Sequence, residues 1–299
     1  RSKPSFTSFI AEVLRVNRNI ILIGVALFFW GLSDENYYLL AFGAVVSLSM
    51  PLLSIWNYRT VSNYDRLLRA FAEGEWDKAL RLIELLRKHM KLPEMEFDLD
   101  IRKASINSAN GSLDSALLSL ERWRSEFEVV SPGMYESRVA SVYHASGRHE
   151  EYVDSMRDAF FKSSQSQTLI LDLALAEARL GDPTKAELLL KAVNTEELPI
   201  YGVPFIEWVK GAIEKRNESA DAEFHLALAV SGFLEMGENP AVWTSLAVCI
   251  GDYASCLTEE QSNDKAQQLL KSVWTILNVH GEESLTKELL LKYPNLAGS

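Results

Sequence analysis

The stretch GEWDKAL, from Gly74 to Leu80, decides the fold of this 299-residue chain. Near-copies of it follow as GSLDSAL at Gly111, GRHEEYV at Gly147 and GDPTKAE at Gly181. The glycines are therefore 37, 36 and 34 residues apart, and a nearly constant spacing indicates a repeat architecture. A glycine suits the end of a helix, because a left-handed residue there is costly for any side chain with a Cβ.

Small residues recur in the same register as these glycines. Five residues after the glycine, three copies have alanine and one has tyrosine: Ala79, Ala116, Tyr152 and Ala186. The preceding helix has a second such position: Leu67, Ala104, Ala140 and Ala174. The surrounding sequence has the periodicity of amphipathic helices of roughly 12–15 residues, without strand-like alternation. Gly232 falls inside such a helix, where alanine is expected to be neutral or stabilising.

This pattern resembles the tetratricopeptide repeat (TPR), a helix-turn-helix unit with small residues where its two helices meet. The resemblance covers roughly residues 62–282 and implies an all-α solenoid of about six units. Four copies fit well, and two looser ones contain Phe205–Leu228 and Ala266. The segment Glu283–Pro294 is then a capping helix. The alternative is an irregular helical bundle in which the spacings are accidental.

Two uncharged runs, Ile20–Leu32 and Tyr37–Trp56, precede the repeats. A membrane-spanning helix needs about 20 apolar residues, which the second run meets and the first reaches only with its flanking residues. Basic residues flank the pair, whereas the connection carries Asp34 and Glu35, so both ends are expected in the cytosol. We predict a transmembrane hairpin in residues 1–61, with spans at about 18–33 and 37–56, and a repeat domain in 62–299. A cleaved signal peptide and a buried soluble hairpin are the alternatives.

The composition argues against several functions. With 41 acidic and 30 basic residues, the net charge of -11 disfavours nucleic-acid binding. No catalytic or phosphate-binding motif is present in the sequence, so we expect neither an enzyme nor a cofactor. Cys249 and Cys256 are interpreted as core residues, and His144 and His149 as turn and surface residues rather than metal ligands. The acidic pair at 282–283 is expected to be solvated.

In the TPR family the first helix of each unit lines a concave groove, which implies a set of groove positions in this chain. They are Tyr64, Leu68, Phe71, Ile101, Ser105, Ser108, Ser137, Ser141, His144, Leu171, Leu175 and Ala178. None is lysine or asparagine, so the clamp with which some members grip a C-terminal carboxylate is absent. Such an apolar or mixed groove suits a partner helix, a peptide or another subunit.

The function that these features predict is a membrane-tethered TPR scaffold that binds a protein partner on the cytosolic face. The alternative is a structural or assembly subunit of a membrane complex, whose hairpin packs against other subunits through Gly24, Gly31 and Gly43. An unrecognised enzyme is a third hypothesis. The layout is similar to bacterial inner-membrane TPR proteins associated with haem synthesis, which implies a location in the inner (cell) membrane. The expected partners are a protein and the lipid bilayer.

Overall fold

The computed structural model describes residues 18–163, 166–199, 202–258 and 264–298. These residues form helices and connecting turns without a strand, which confirms the all-α class. The chain divides into two compact units, residues 1–66 and 67–299.

In the first unit, helix α1 (Arg18–Ser33) turns into helix α2 (Tyr37–Ala72), which continues into the second unit. The Asn36 side chain accepts hydrogen bonds from the backbone N–H groups of Tyr38 and Leu39 and thereby caps α2. The two helices meet at glycines. A Cβ on Gly24 would lie 2.6 Å from the backbone nitrogen of Ser47, and one on Gly43 would lie 2.8 Å from Cα of Phe28. These glycines therefore lie at the contact between the two helices of the hairpin.

The structure does not support the predicted transmembrane hairpin. Over the described residues, no helix has the length and apolar character needed to cross a membrane. The hairpin nevertheless exposes more than half of several large apolar side chains: Leu22, Ile23, Phe29, Trp30, Phe42, Val45, Leu48 and Leu52.

The second unit contains the end of α2 and a succession of shorter helices. They are α3 (Trp76–Leu86), α4 (Pro93–Ala109), α5 (Leu113–Val130), α6 (Met134–Ala145), α7 (His149–Lys162), α8 (Gln167–Leu180), α9 (Pro183–Ala192), α10 (Gly202–Arg216), α11 (Ala222–Glu235), α12 (Trp243–Cys256), α13 (Asp264–His280) and α14 (Glu283–Lys292). Short 3-10 helices lie at Thr195–Glu197, Pro240–Val242 and Pro294–Gly298.

Consecutive helices pack as pairs, and neighbouring pairs pack on one another. The pairs are α4 with α5, α6 with α7, α8 with α9, α10 with α11, and α12 with α13. Among the first helices of these pairs, α4 contacts α6, and α10 contacts both α8 and α12. We call these first helices, α4, α6, α8, α10 and α12, the inner helices. Helix α14 packs on α12 at the end of the array.

The repeated small residues lie where the helices of a pair meet. All six alanines of the two predicted positions are buried: Ala79, Ala104, Ala116, Ala140, Ala174 and Ala186. Larger side chains fill the space between them. The rings of Phe97 on α4 and Phe127 on α5, for example, stack with centroids 4.5 Å apart.

Three of the four turn glycines have the expected left-handed backbone. The φ angles are +72° at Gly74, +85° at Gly111 and +72° at Gly147. The expectation was wrong for Gly181, whose φ is -108°. Pro183 restricts the residue before it to an extended backbone, and Asp182 accordingly has φ -104° and ψ 109° and caps α9. This turn therefore reverses the chain without a left-handed residue.

Candidate functional site: the central cavity

The helical array forms a cavity of about 610 Å³ that is partly open to solvent, and this volume lies in the usual range of ligand sites of about 300–1,000 Å³. Each inner helix contributes side chains to its wall, and the ends of α2 and α13 complete it. The principal lining residues are Phe71, Trp76, Ile101, Arg102, Ser105, Arg138, Ser141, His144, Leu175, Arg179, Trp208, Ser245, Val248 and His280. We call this space the central cavity.

The predicted groove positions are divided between the cavity and the core. Those that line the cavity are Phe71, Ile101, Ser105, Ser141, His144 and Leu175. Leu171 is 4% exposed and packs with Ala186 and Val209, and Leu68 is 9% exposed. Ser108 and Ala178 are also buried, and the Ser108 hydroxyl donates to the carbonyl oxygen of Val142. Ser137 lies on α6 outside the cavity lining, and Tyr64 lies in the first unit.

At one end of the cavity, three rings from opposite ends of the array form a cluster. The His280 ring lies 5.5 Å from that of Phe71 and 6.1 Å from that of Trp76, measured between centroids. Nε2 of His280 is 3.1 Å from the carbonyl oxygen of Phe71, to which it donates as the neutral Nε2–H tautomer. Burial lowers the pKa of His280 to about 4, so the ring is neutral at pH 7.

A buried ion cluster, Arg179 with Asp252 and Glu282, forms another part of the wall. Arg179 donates from Nε to Asp252 at 2.9 Å and from its two terminal nitrogens to Glu282 at 2.7 and 2.6 Å. Trp208 donates its indole N–H to the same carboxylate of Asp252 at 2.9 Å, and Nε2 of His144 is 3.3 Å from Glu282. The cluster thereby joins α8, α10, α12 and the turn between α13 and α14.

The sequence-based interpretation of Glu282 as a solvated acid was wrong. Its side chain is 5% exposed, whereas that of Glu283 is 81% exposed. Burial opposes ionisation of Glu282, but Arg179 and His144 outweigh it and hold its pKa well below the ordinary range. The three members of the ion cluster are 73 and 103 residues apart in sequence, so no local motif signals them.

The histidines and cysteines near the cavity do not form a metal centre. The rings of His144 and His149 are 5.9 Å apart, but the described residues contain no group of three or more metal-ligating side chains. Burial lowers the pKa of His149, and its Nδ1 is buried without a hydrogen-bond partner. Burial also raises the pKa of the Cys249 thiol, which keeps it protonated and unreactive.

The lining of the cavity combines paired charges with apolar and hydroxyl groups. Asp98 pairs with Arg102, and Glu282 pairs with Arg179. Ser141 presents an exposed hydroxyl, and Leu175 an aliphatic surface. A surface of this kind can bind a chain that itself alternates polar and apolar groups, as a polypeptide does.

Comparisons with known proteins give no family for this chain, since no protein-family model, curated protein or solved structure matches it.

Proposed function

We propose that this protein is a scaffold that binds a segment of a protein partner in the central cavity of a TPR-like array. One observation carries the proposal: the inner helices of successive pairs all contribute to a single cavity. A site assembled from consecutive repeats suits an elongated ligand, because each repeat meets a different part of it. Five helix pairs, with α2 and α3 before them and the α14 cap after them, are in line with the array of about six units that the TPR resemblance implies.

The chemistry of the wall supports a polypeptide ligand. A peptide backbone carries a donor and an acceptor in every residue, which the Ser141 hydroxyl and the Arg138 guanidinium can satisfy. Its apolar side chains can be buried against Ile101, Leu175 and the Phe71 ring. Such burial contributes roughly 25 cal/mol per Å² to binding.

The α1–α2 hairpin favours a second candidate function, that of an assembly subunit of a membrane complex. Gly24 and Gly43 lie at the contact between its own two helices. Bulky apolar side chains such as Phe29 and Phe42 are exposed on its surface. Exposed apolar surfaces of this kind mark contacts with lipid or with another protein. Membrane attachment, a bacterial inner-membrane location and cytosolic placement of both termini stay predictions.

Site-specific photo-crosslinking in the cell of origin tests the scaffold proposal. A photoreactive phenylalanine analogue replaces Ser141, which is exposed in the cavity, or Ser115, which is exposed on α5 outside the cavity lining. We expect the same polypeptide adduct at position 141 in repeated experiments, and no such adduct at position 115. Equal crosslinking at both positions, or none at 141, contradicts the proposal.

A pair of substitutions provides the matching loss-of-function test. Ser141→Trp fills part of the cavity, whereas Ser115→Trp adds the same side chain elsewhere. We expect the first variant to lose at least tenfold in affinity for the crosslinked partner, a change of about 1.4 kcal/mol, and the second to bind normally. Circular dichroism checks that both variants keep their helical content.

A further inference from the structure

The end of α2 and the turn into α3 are in direct contact with the end of α13. Beside the ring cluster of Phe71, Trp76 and His280, the turn at Gly74 rests on the Val279 side chain. A Cβ built on Gly74 would lie 2.8 Å from Cγ2 of Val279, closer than real Cβ atoms approach. The hydrogen bond from His280 to the carbonyl of Phe71 links residues 209 positions apart.

Gly74 therefore meets two independent requirements. Its φ of +72° is a left-handed conformation that L side chains rarely adopt, and its missing Cβ makes room for Val279. Gly147 has the same φ of +72°, but a Cβ there would meet nothing within 4 Å. The chain thus contains two glycines with the same backbone requirement, of which only one lies at the contact between the two ends.

We propose that the contact of Gly74, Phe71 and Trp76 with Val279 and His280 is a clasp that joins the two ends of the array beside the cavity and opens to admit the partner segment. Its role in admission rests on the proposed scaffold function. The clasp contact itself lies within this chain and does not require a partner.

The clasp is made of few and mostly small contacts. It consists of ring contacts, one glycine against one valine, the Ala72 methyl buried in the apolar cluster of Trp274 and Leu277, and one hydrogen bond from His280 to a backbone carbonyl. Val279 remains 36% exposed. The contacts between adjacent inner helices, in contrast, bury whole apolar clusters such as that of Leu171, Ala174, Val209 and Ala212. Opening the clasp therefore separates rings and small side chains, whereas separating these two neighbouring pairs breaks an apolar cluster.

The distance between the two ends can be measured directly in the purified full-length protein without any partner. Spin labels are attached to cysteines introduced at Asp77 and Ser272, both exposed, in a Cys256→Ser background in which buried Cys249 is retained. Double electron–electron resonance then gives the distribution of distances between α3 and α13. We expect one short-distance population in the parent protein.

Gly74→Ala is compared with Gly147→Ala, because both changes place a Cβ at the same φ. We expect a longer-distance population in Gly74→Ala only. Adding Val279→Ala to Gly74→Ala should restore the short distance, because the two colliding methyl groups are then gone and Cβ of residue 279 lies 3.7 Å away. His280→Ala, which removes the ring contacts and the hydrogen bond, should also lengthen the distance and provides a second variant if Gly74→Ala does not fold.

A short distance in both Gly74→Ala and His280→Ala, or equal lengthening in Gly74→Ala and Gly147→Ala, overturns the clasp. The role in admission is tested separately by crosslinking at position 141. Variants with an open clasp should form the adduct at least threefold faster than the parent protein. If the distances change as expected while no adduct forms in any variant, the clasp stands and the proposed scaffold function fails.

Discussion

His280 makes the clasp sensitive to pH. Burial and nearby His144 disfavour the charged ring, while the backbone carbonyls of Phe71 and Ala72 favour it, and the resulting pKa is about 4. In the open state the pKa returns toward its ordinary value of about 6.5. Because the closed-state pKa is the lower one, the His280 contribution to closure is complete above about pH 6.5 and is lost as the pH falls toward 4.

We therefore expect the longer-distance population between labels at residues 77 and 272 to grow between pH 7 and pH 5. His280→Gln is the control, because glutamine retains a donor for the Phe71 carbonyl but does not titrate. Its distance distribution should be independent of pH over this range. The same pH dependence in His280→Gln would assign the effect to another group.

Two glycines test two different requirements: Gly111 tests the backbone strain of a turn, and Gly232 tests the packing between two helices. Gly111→Val should destabilise the protein by about 1 kcal/mol or more, since a β-branched residue at φ +85° is strained even in open space. Gly232 was expected to tolerate alanine, but a Cβ there would lie 2.7 Å from the Pro204 ring, so Gly232→Ala should also destabilise. Urea unfolding measures both changes. An increase in stability of Gly232→Ala would mean that α10 and α11 move apart at no cost.

The sequence predicts individual residues where the structural requirement is local. The left-handed glycines and the buried alanines follow from the spacing of one repeat, because the turn and the contact between the two helices of a pair are both local. The ion cluster and the clasp do not follow from it, since Arg179, Glu282, Phe71 and His280 meet only after the whole array has folded. Gly181 shows a further limit: the proline two residues later changed the turn.

Among the helices, the ion cluster is a buried polar connection between α8 and α12, and Arg179 is its centre. Arg179→Met should destabilise the second unit by about 3 kcal/mol, because two buried carboxylates are left with weaker partners. Lys191→Ala is the matched control, since Lys191 and Glu187 form an ion pair in which both side chains are more than half exposed, and its loss should cost less than about 1 kcal/mol. Chemical denaturation measures both values. Equal effects would show that the cluster contributes no more than a surface pair.

The helix pairs could be predicted from the sequence, whereas the N-terminal hairpin could be predicted only in part. Apolar periodicity and turn residues indicate the helices of the four well-fitting units, whereas the two looser units lack a turn glycine or carry an insertion. In the hairpin, the short connection at 34–36 predicts two adjacent helices, and the structure has them at Arg18–Ser33 and Tyr37–Ala72. The expected spans, 18–33 and 37–56, lie within these helices, but the structure does not support them as membrane spans.

For the whole molecule, the clasp has a consequence beyond ligand entry. A linear stack of repeats frays at its ends, because each terminal repeat has only one neighbour. Here the hydrogen bond between His280 and Phe71 links the two ends, so with the clasp closed we expect the array from Leu67 onward to behave as a noncovalent circle. Amide hydrogen exchange in α3 and α13 should then be as slow as in α8. Gly74→Ala should accelerate the exchange in α3 and α13 and leave that in α8 unchanged. Circularity of this kind would make the unfolding of a modular chain a single cooperative event.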